Sequence, residues 1–83
     1  MFAVKNGNVQ GTVLLTAEGG GQGTAHDWWI SFDNITWVRM TPTIHANTMK
    51  EGLEPETTVY FNHQLITNEG PQGFEGVISI LIM

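Results

Sequence analysis

The 83-residue sequence has no cysteine, only three prolines and only three cationic side chains, Lys5, Arg39 and Lys50. Without cysteine no disulfide can staple the domain, and no thiolate can hold a metal. Against eight acidic residues the three cations leave a formal net charge of −5. A nucleic-acid partner needs cations to neutralise its phosphates, and an anionic membrane surface attracts basic segments, so both are excluded as partners. No apolar run approaches the roughly 18 residues of a spanning helix, which excludes membrane insertion by that route. The stretch Met1 to Gly7 lacks the apolar core of a signal peptide.

What is present suits a small packed domain. Hydrophobic residues make up 41% of the chain, and three Trp, four Phe and one Tyr supply large buried area in few positions. The length fits one domain spanning residues 1–83. Short runs of period two, broken by turn residues, predict an all-β antiparallel domain. The expected strands are Met1 to Lys5, Thr12 to Ala17, His26 to Phe32, Ile35 to Met40, a short one within Thr43 to Glu51, Thr57 to Thr67, and Val77 to Met83. The ten glycines include Gly19, Gly20, Gly21 and Gly23, a density that no helix tolerates and that reads as a loop. The segment from Asn68 to Gly73 reads as another loop. Alternation places His26, Trp28, Ile30 and Phe32 on one face and Asp27, Trp29 and Ser31 on the other. The expected core is Val13, Leu15, Trp28, Ile30, Leu53, Val59, Phe61 and Leu65.

Several segments resemble the fibronectin type III family. Asp33-Asn34-Ile35-Thr36-Trp37 is similar to its Asp-Gly-x-Thr-Trp turn and strand. Gly52-Leu53-Glu54-Pro55-Glu56-Thr57-Thr58-Val59-Tyr60-Phe61 is similar to its Gly-Leu-x-Pro-Gly-Thr-x-Tyr-Tyr-Phe segment. Asn6-Gly7 with Gly11-Thr12-Val13-Leu14-Leu15 looks like the first turn and second strand, and Gly70-Pro71-Gln72-Gly73-Phe74 like the loop before the last strand. The resemblance implies a seven-stranded immunoglobulin-like β-sandwich, with strands A, B and E packed on C, C′, F and G. It also implies a setting at a cell surface or in a virion. Three positions depart from the pattern. Val59 replaces the tyrosine-corner residue, Ala17 replaces a tryptophan, and Lys50 stands where an inward apolar residue is usual.

Candidate chemistry is sparse. His26 and His63 fall on inward faces of neighbouring strands and can approach each other, but two imidazoles are too few for a tetrahedral zinc site. Asp27 faces the other way, and His45 has no evident partner. Glu51, Glu54 and Glu56 cluster in a turn, where solvation leaves carboxylates unsuited to acid–base work. Ser31 and Ser79 have no histidine on their face. No metal, no cofactor and no catalytic residue is expected.

Apolar residues on outward faces are more informative. Trp29 should stand beside Tyr60 or Asn62. The strand from Val77 to Met83 is apolar on both faces and forms a sheet edge without the charge or proline that usually blunts one. The expected function is a non-enzymatic structural or adhesive module that contacts a protein partner, or a second copy of itself, through the edge residues Leu81 and Met83 or the adjoining sheet face. One alternative is a glycan-binding module, with Trp29, Tyr60 and Trp37 as an aromatic platform and Asn62 and Gln64 as hydrogen-bonding groups. Another is a small structural or decoration protein of a phage virion.

Overall fold

The computed structural model describes residues 2–18 and 24–83. The expected glycine loop, Gly19 to Gly23, lies outside the described residues. Among those residues the chain is all β, without a helix, and forms eight strands: β1 (Phe2–Asn6), β2 (Val13–Ala17), β3 (Ala25–Ser31), β4 (Trp37–Arg39), β5 (Asn47–Lys50), β6 (Thr58–Thr67), β7 (Gly70–Phe74) and β8 (Ile78–Leu81). All pairings are antiparallel. They build a three-stranded sheet in the order β1-β2-β5 and a five-stranded sheet in which β4-β3-β6-β7 run in sequence and β8 also pairs with β6.

The eighth strand corrects the expected count of seven. β7 falls in the segment read as a loop. It pairs with Ile66 and Thr67 of β6, while β8 pairs with Thr58 to Phe61 of the same strand. β3 occupies the other side of β6, so β7 and β8 together make one interrupted edge. The ladder to β6 shifts register between Gln64 and Ile66, opposite Phe74 and Pro71, and residues 75–77 connect β7 to β8. The Glu75 N–H donates to the His63 carbonyl, and the Gly76 N–H donates to Asn62 Oδ1. Glu75 follows Phe74, which pairs with Gln64, so ordinary alternation puts Glu75 on the inner face opposite His63.

The inner faces of the two sheets meet in one apolar core. Phe2, Val13 and Leu15 come from the smaller sheet, and Trp28, Ile30, Val59 and Phe61 from the larger; Leu53 and Ile82 close it from connecting segments. Leu65 is only partly buried, near the far end of β6, where β6 outruns the core. Phe32 is exposed, because β3 ends at Ser31 and the chain turns: the Asp33 carboxylate accepts from the Ile35 and Thr36 amides. Trp28 is fully buried and supplies the bulk that Ala17 lacks. Lys50 lies opposite the buried Val13 in an unbroken register, while Met49 is half exposed, so the lysine stem runs past the open edge of the core without a bulge.

With no tyrosine at Val59, the crossover before β6 is held by backbone. Leu53 N–H donates to the Gly11 carbonyl, and Thr57 Oγ1 donates to the Glu54 carbonyl at 2.6 Å. Gly11 has φ 81°, and a Cβ there would lie 2.6 Å from the Leu53 carbonyl oxygen. Gly52 has φ 72° but open space around it. Gly11→Ala should therefore cost roughly 2–3 kcal/mol and Gly52→Ala only about 1 kcal/mol, since the first adds a backbone clash to the same left-handed strain. Urea unfolding of the two variants checks this. Equal destabilisation would show that the Gly11–Leu53 approach does not hold the crossover.

Candidate functional site

The β3–β6 ladder pairs Asp27 with Gln64, Trp28 with His63, Trp29 with Asn62, Ile30 with Phe61 and Ser31 with Tyr60. Residues directly opposite share a face, so this register builds a distinct set of groups on each side of the sheet.

On the outer face a buried carboxylate organises the surface. Asp27 is 2% exposed, although it points away from the core. Its Oδ2 accepts from Trp29 Nε1 and from Gln64 Nε2, each at 2.8 Å, and its Oδ1 accepts from Arg39 Nε at 2.7 Å. Burial alone would raise this carboxyl. The hydrogen bonds from Gln64, Trp29 and Arg39, with the Arg39 charge, outweigh it and hold the group below the ordinary carboxylate range. Above this network lies an open hollow of about 380 Å³ lined by Trp29, Trp37, Asn62, Gln64 and Phe74. Phe74 meets the Trp29 ring edge-on at 5.8 Å. Asn62 Oδ1 accepts from the His63 and Gly76 amides.

The expected binding residues thus separate into two groups. Trp29, Trp37, Asn62 and Gln64 converge on the hollow, joined by Phe74. Tyr60 does not line it. It lies across the small Ser31 from Trp37 and beside Ser79 of β8, on the same face as Leu81. Leu81 and Met83 are 55% and 66% exposed. The expected row of unpaired amides along the last strand needs correction at its end. The Asn6 carboxamide, reaching over from β1, donates to the Leu81 carbonyl and accepts from the Met83 N–H, each at 3.0 Å. Phe74 was missed because its segment, rich in glycine and proline, carries no period-two signal.

On the inner face the two expected histidines do meet. His26 Nδ1 and His63 Nε2 are 2.9 Å apart, and His63 Nδ1 is 2.5 Å from Glu75 Oε1. Both rings are buried, stacked on each other and beside Trp28. Burial would raise the Glu75 carboxyl, but hydrogen bonds and positive charge beside it, His63 among them, hold it low. A carboxylate can only accept, so His63 donates to Glu75 from Nδ1, and one further hydrogen bond joins His63 Nε2 to His26 Nδ1. Among the described residues, no buried side-chain nitrogen or oxygen lacks a hydrogen-bond partner. Among the described residues, no group of three or more His, Cys, Asp or Glu is placed to hold a metal ion. Ser31 Oγ donates to Asp33, and Thr43 Oγ1 donates to the His45 carbonyl, so neither hydroxyl is directed at an imidazole.

No protein-family model matches the chain, and no curated protein matches it in sequence.

Burial, and next the neighbouring His63, lower the His26 pKa from its ordinary 6.5; the Glu75 charge opposes them. The unfolded chain takes up this proton near 6.5 and the folded chain only at lower pH. Stability from this group is therefore complete above about 6.5 and falls as the pH drops below it, by at most about 1.4 kcal/mol per pH unit for one proton. Glu75 and Asp27, also lowered, add losses only below their ordinary 4.5 and 3.8. Urea unfolding should show lower stability at pH 5.5 than at pH 7.5, and His26→Asn, which replaces the imidazole by a polar group that does not take up a proton in this range, should remove that difference. Equal stability of the native chain at both pH values would contradict a neutral His26.

Proposed function

We propose that this chain is a non-catalytic structural or adhesive module of the fibronectin type III type, working through protein–protein contact on the outer face and edge of its larger sheet. The order β1-β2-β5 and β4-β3-β6 with β7 and β8 corresponds to the A-B-E and C′-C-F-G arrangement that the resemblance implies. Backbone conformation supports the same reading. Among the described residues, Asn34 and Glu56 are the non-glycine residues with positive φ, at 61° and 66°, and both stand where the family pattern carries glycine.

The observation that carries the functional reading is the edge. Phe74, Val77, Leu81 and Met83 are all about half exposed or more along β7 and β8, and no charged residue follows Glu75. Soluble sheets usually blunt such an edge. Leaving an apolar side chain of this size in water forfeits roughly 1.5–3 kcal/mol relative to full burial. Asn6 already engages the end of β8, so the contact rests on the apolar side chains as well as on strand pairing. A second copy of the chain fits such an edge, because an antiparallel pair of identical edges is self-complementary.

Sedimentation over a range of concentrations tests this. The native chain should associate, and Leu81→Lys should stay folded and associate more weakly by about tenfold or more, the cost of burying an unpaired charge. A native chain that remains monomeric at millimolar concentration would overturn self-association through this strand.

A further inference from the structure

The hollow between Trp29, Trp37 and Phe74 has features that protein–protein contact through Leu81 does not use. Its polar groups are fixed before any ligand arrives. Asp27 holds the Trp29 indole by its N–H and the Gln64 carboxamide by its Nε2. That leaves Gln64 Oε1 as an acceptor of set direction. The His63 and Gly76 amides hold Asn62 Oδ1, which leaves Asn62 Nδ2 as a donor without a partner among the described residues. Both carboxamides line the hollow, so it offers one fixed donor and one fixed acceptor between aromatic walls. It offers no net charge. The Asp27 carboxylate is engaged by three donors, and Arg39 balances it.

From this arrangement we infer that the hollow is a binding site for a neutral saccharide. The inference rests on the reading of this sheet face as a binding surface and names a ligand class for one part of it. A pyranose ring has apolar C–H faces that lie against indole and phenyl surfaces, and hydroxyls at its rim that both donate and accept. A purely apolar ligand would strip water from Asn62 Nδ2 and Gln64 Oε1 without replacing it, a loss that disfavours it. An anionic ligand would meet a domain of net charge −5 whose nearby cation, Arg39, is already paired. The volume of about 380 Å³ lies at the lower end of the roughly 300–1,000 Å³ of small-molecule sites, enough for a short stretch of sugar chain. Because Asp27 locks the indole and one carboxamide in place, little side-chain freedom is lost on binding. Asp27 is thus a positioning residue that does not itself face the ligand.

The test is titration of the full chain with β-1,4-linked glucose hexaose, β-1,4-linked N-acetylglucosamine hexaose and α-linked mannose hexaose, followed by tryptophan fluorescence and calorimetry. At least one should bind with Kd in the range of roughly 0.01–1 mM. Trp37→Ala and Phe74→Ala, both at partly or largely exposed positions where the fold should survive, should each weaken it by about tenfold or more. Leu81→Lys should bind the sugar as the native chain does, and Trp37→Ala should self-associate as the native chain does. The two claims for this face thereby fail or stand separately. No binding of any of the three hexaoses at about 10 mM would overturn the inference, since affinity that weak is below what such a site supplies. Binding that survives both wall substitutions would overturn it equally. Binding of a proline-rich decapeptide at the hollow, with none of the sugars, would reassign the site to a peptide and overturn it too.

Discussion

The antiparallel ladder between β3 and β6 is the constraint on which the rest of the molecule depends. Side chains alternate along each strand, so one register fixes what lies on both faces at once. With Trp28 opposite His63, the inner face carries His26, Trp28, Phe61 and His63 into the core. The outer face then carries Asp27, Trp29, Asn62 and Gln64 to the surface. A slip of one residue would bury Asp27 and Trp29 against the smaller sheet and expose the histidines. The cost of an unpaired buried carboxylate excludes that alternative.

Each face solves its own polar problem by hydrogen bonding. Inside, Glu75 meets His63 from the end of β7, and His63 is hydrogen-bonded to His26, so both imidazoles have partners in an apolar core. Outside, Asp27 collects donors from its own strand, from β6 and from β4, tying three strands together under the aromatic residues. The segment after β7 serves both: its Gly76 amide, with the amide of His63, fixes the Asn62 carboxamide at the rim of the hollow. The proposed binding surface is therefore continuous with the interactions that set strand register, and substitutions in it are to be judged against stability as well as affinity.

Much of this was legible in the sequence because period-two alternation and strong turn residues are local signals. The inward set Val13, Leu15, Trp28, Ile30, Leu53, Val59 and Phe61 is buried as alternation predicts. So was the approach of His26 to His63, since both lie on inward faces of adjacent long strands. Other features depend on contacts that no local pattern encodes. Gly70-Pro71-Gln72-Gly73-Phe74 has the composition of a loop, yet it is held as an edge strand, where a proline without an N–H is tolerated. Glu75 reaches His63 through the pairing of Phe74 with Gln64, in a segment whose composition does not announce a strand. Phe2 and Ile82, near the two ends of the described chain, are core residues because β1 and the segment after β8 close the two sheets together, with Asn6 bonding across. Tyr60 was expected among the hollow's aromatics because its alternation is right; the distinction that it stands one row away, across Ser31, needs the register itself.

That register is open to direct observation by nuclear magnetic resonance on the labelled chain. Cross-strand contacts between backbone protons should link Trp28 with His63 and Asp27 with Gln64, and the imidazole nitrogens of His26 and His63 should be coupled through their shared hydrogen bond. Cross-strand contacts that instead pair Trp28 with Asn62 or Gln64, or the absence of any coupling between the His26 and His63 rings, would contradict the single register on which both the core and the outer site depend.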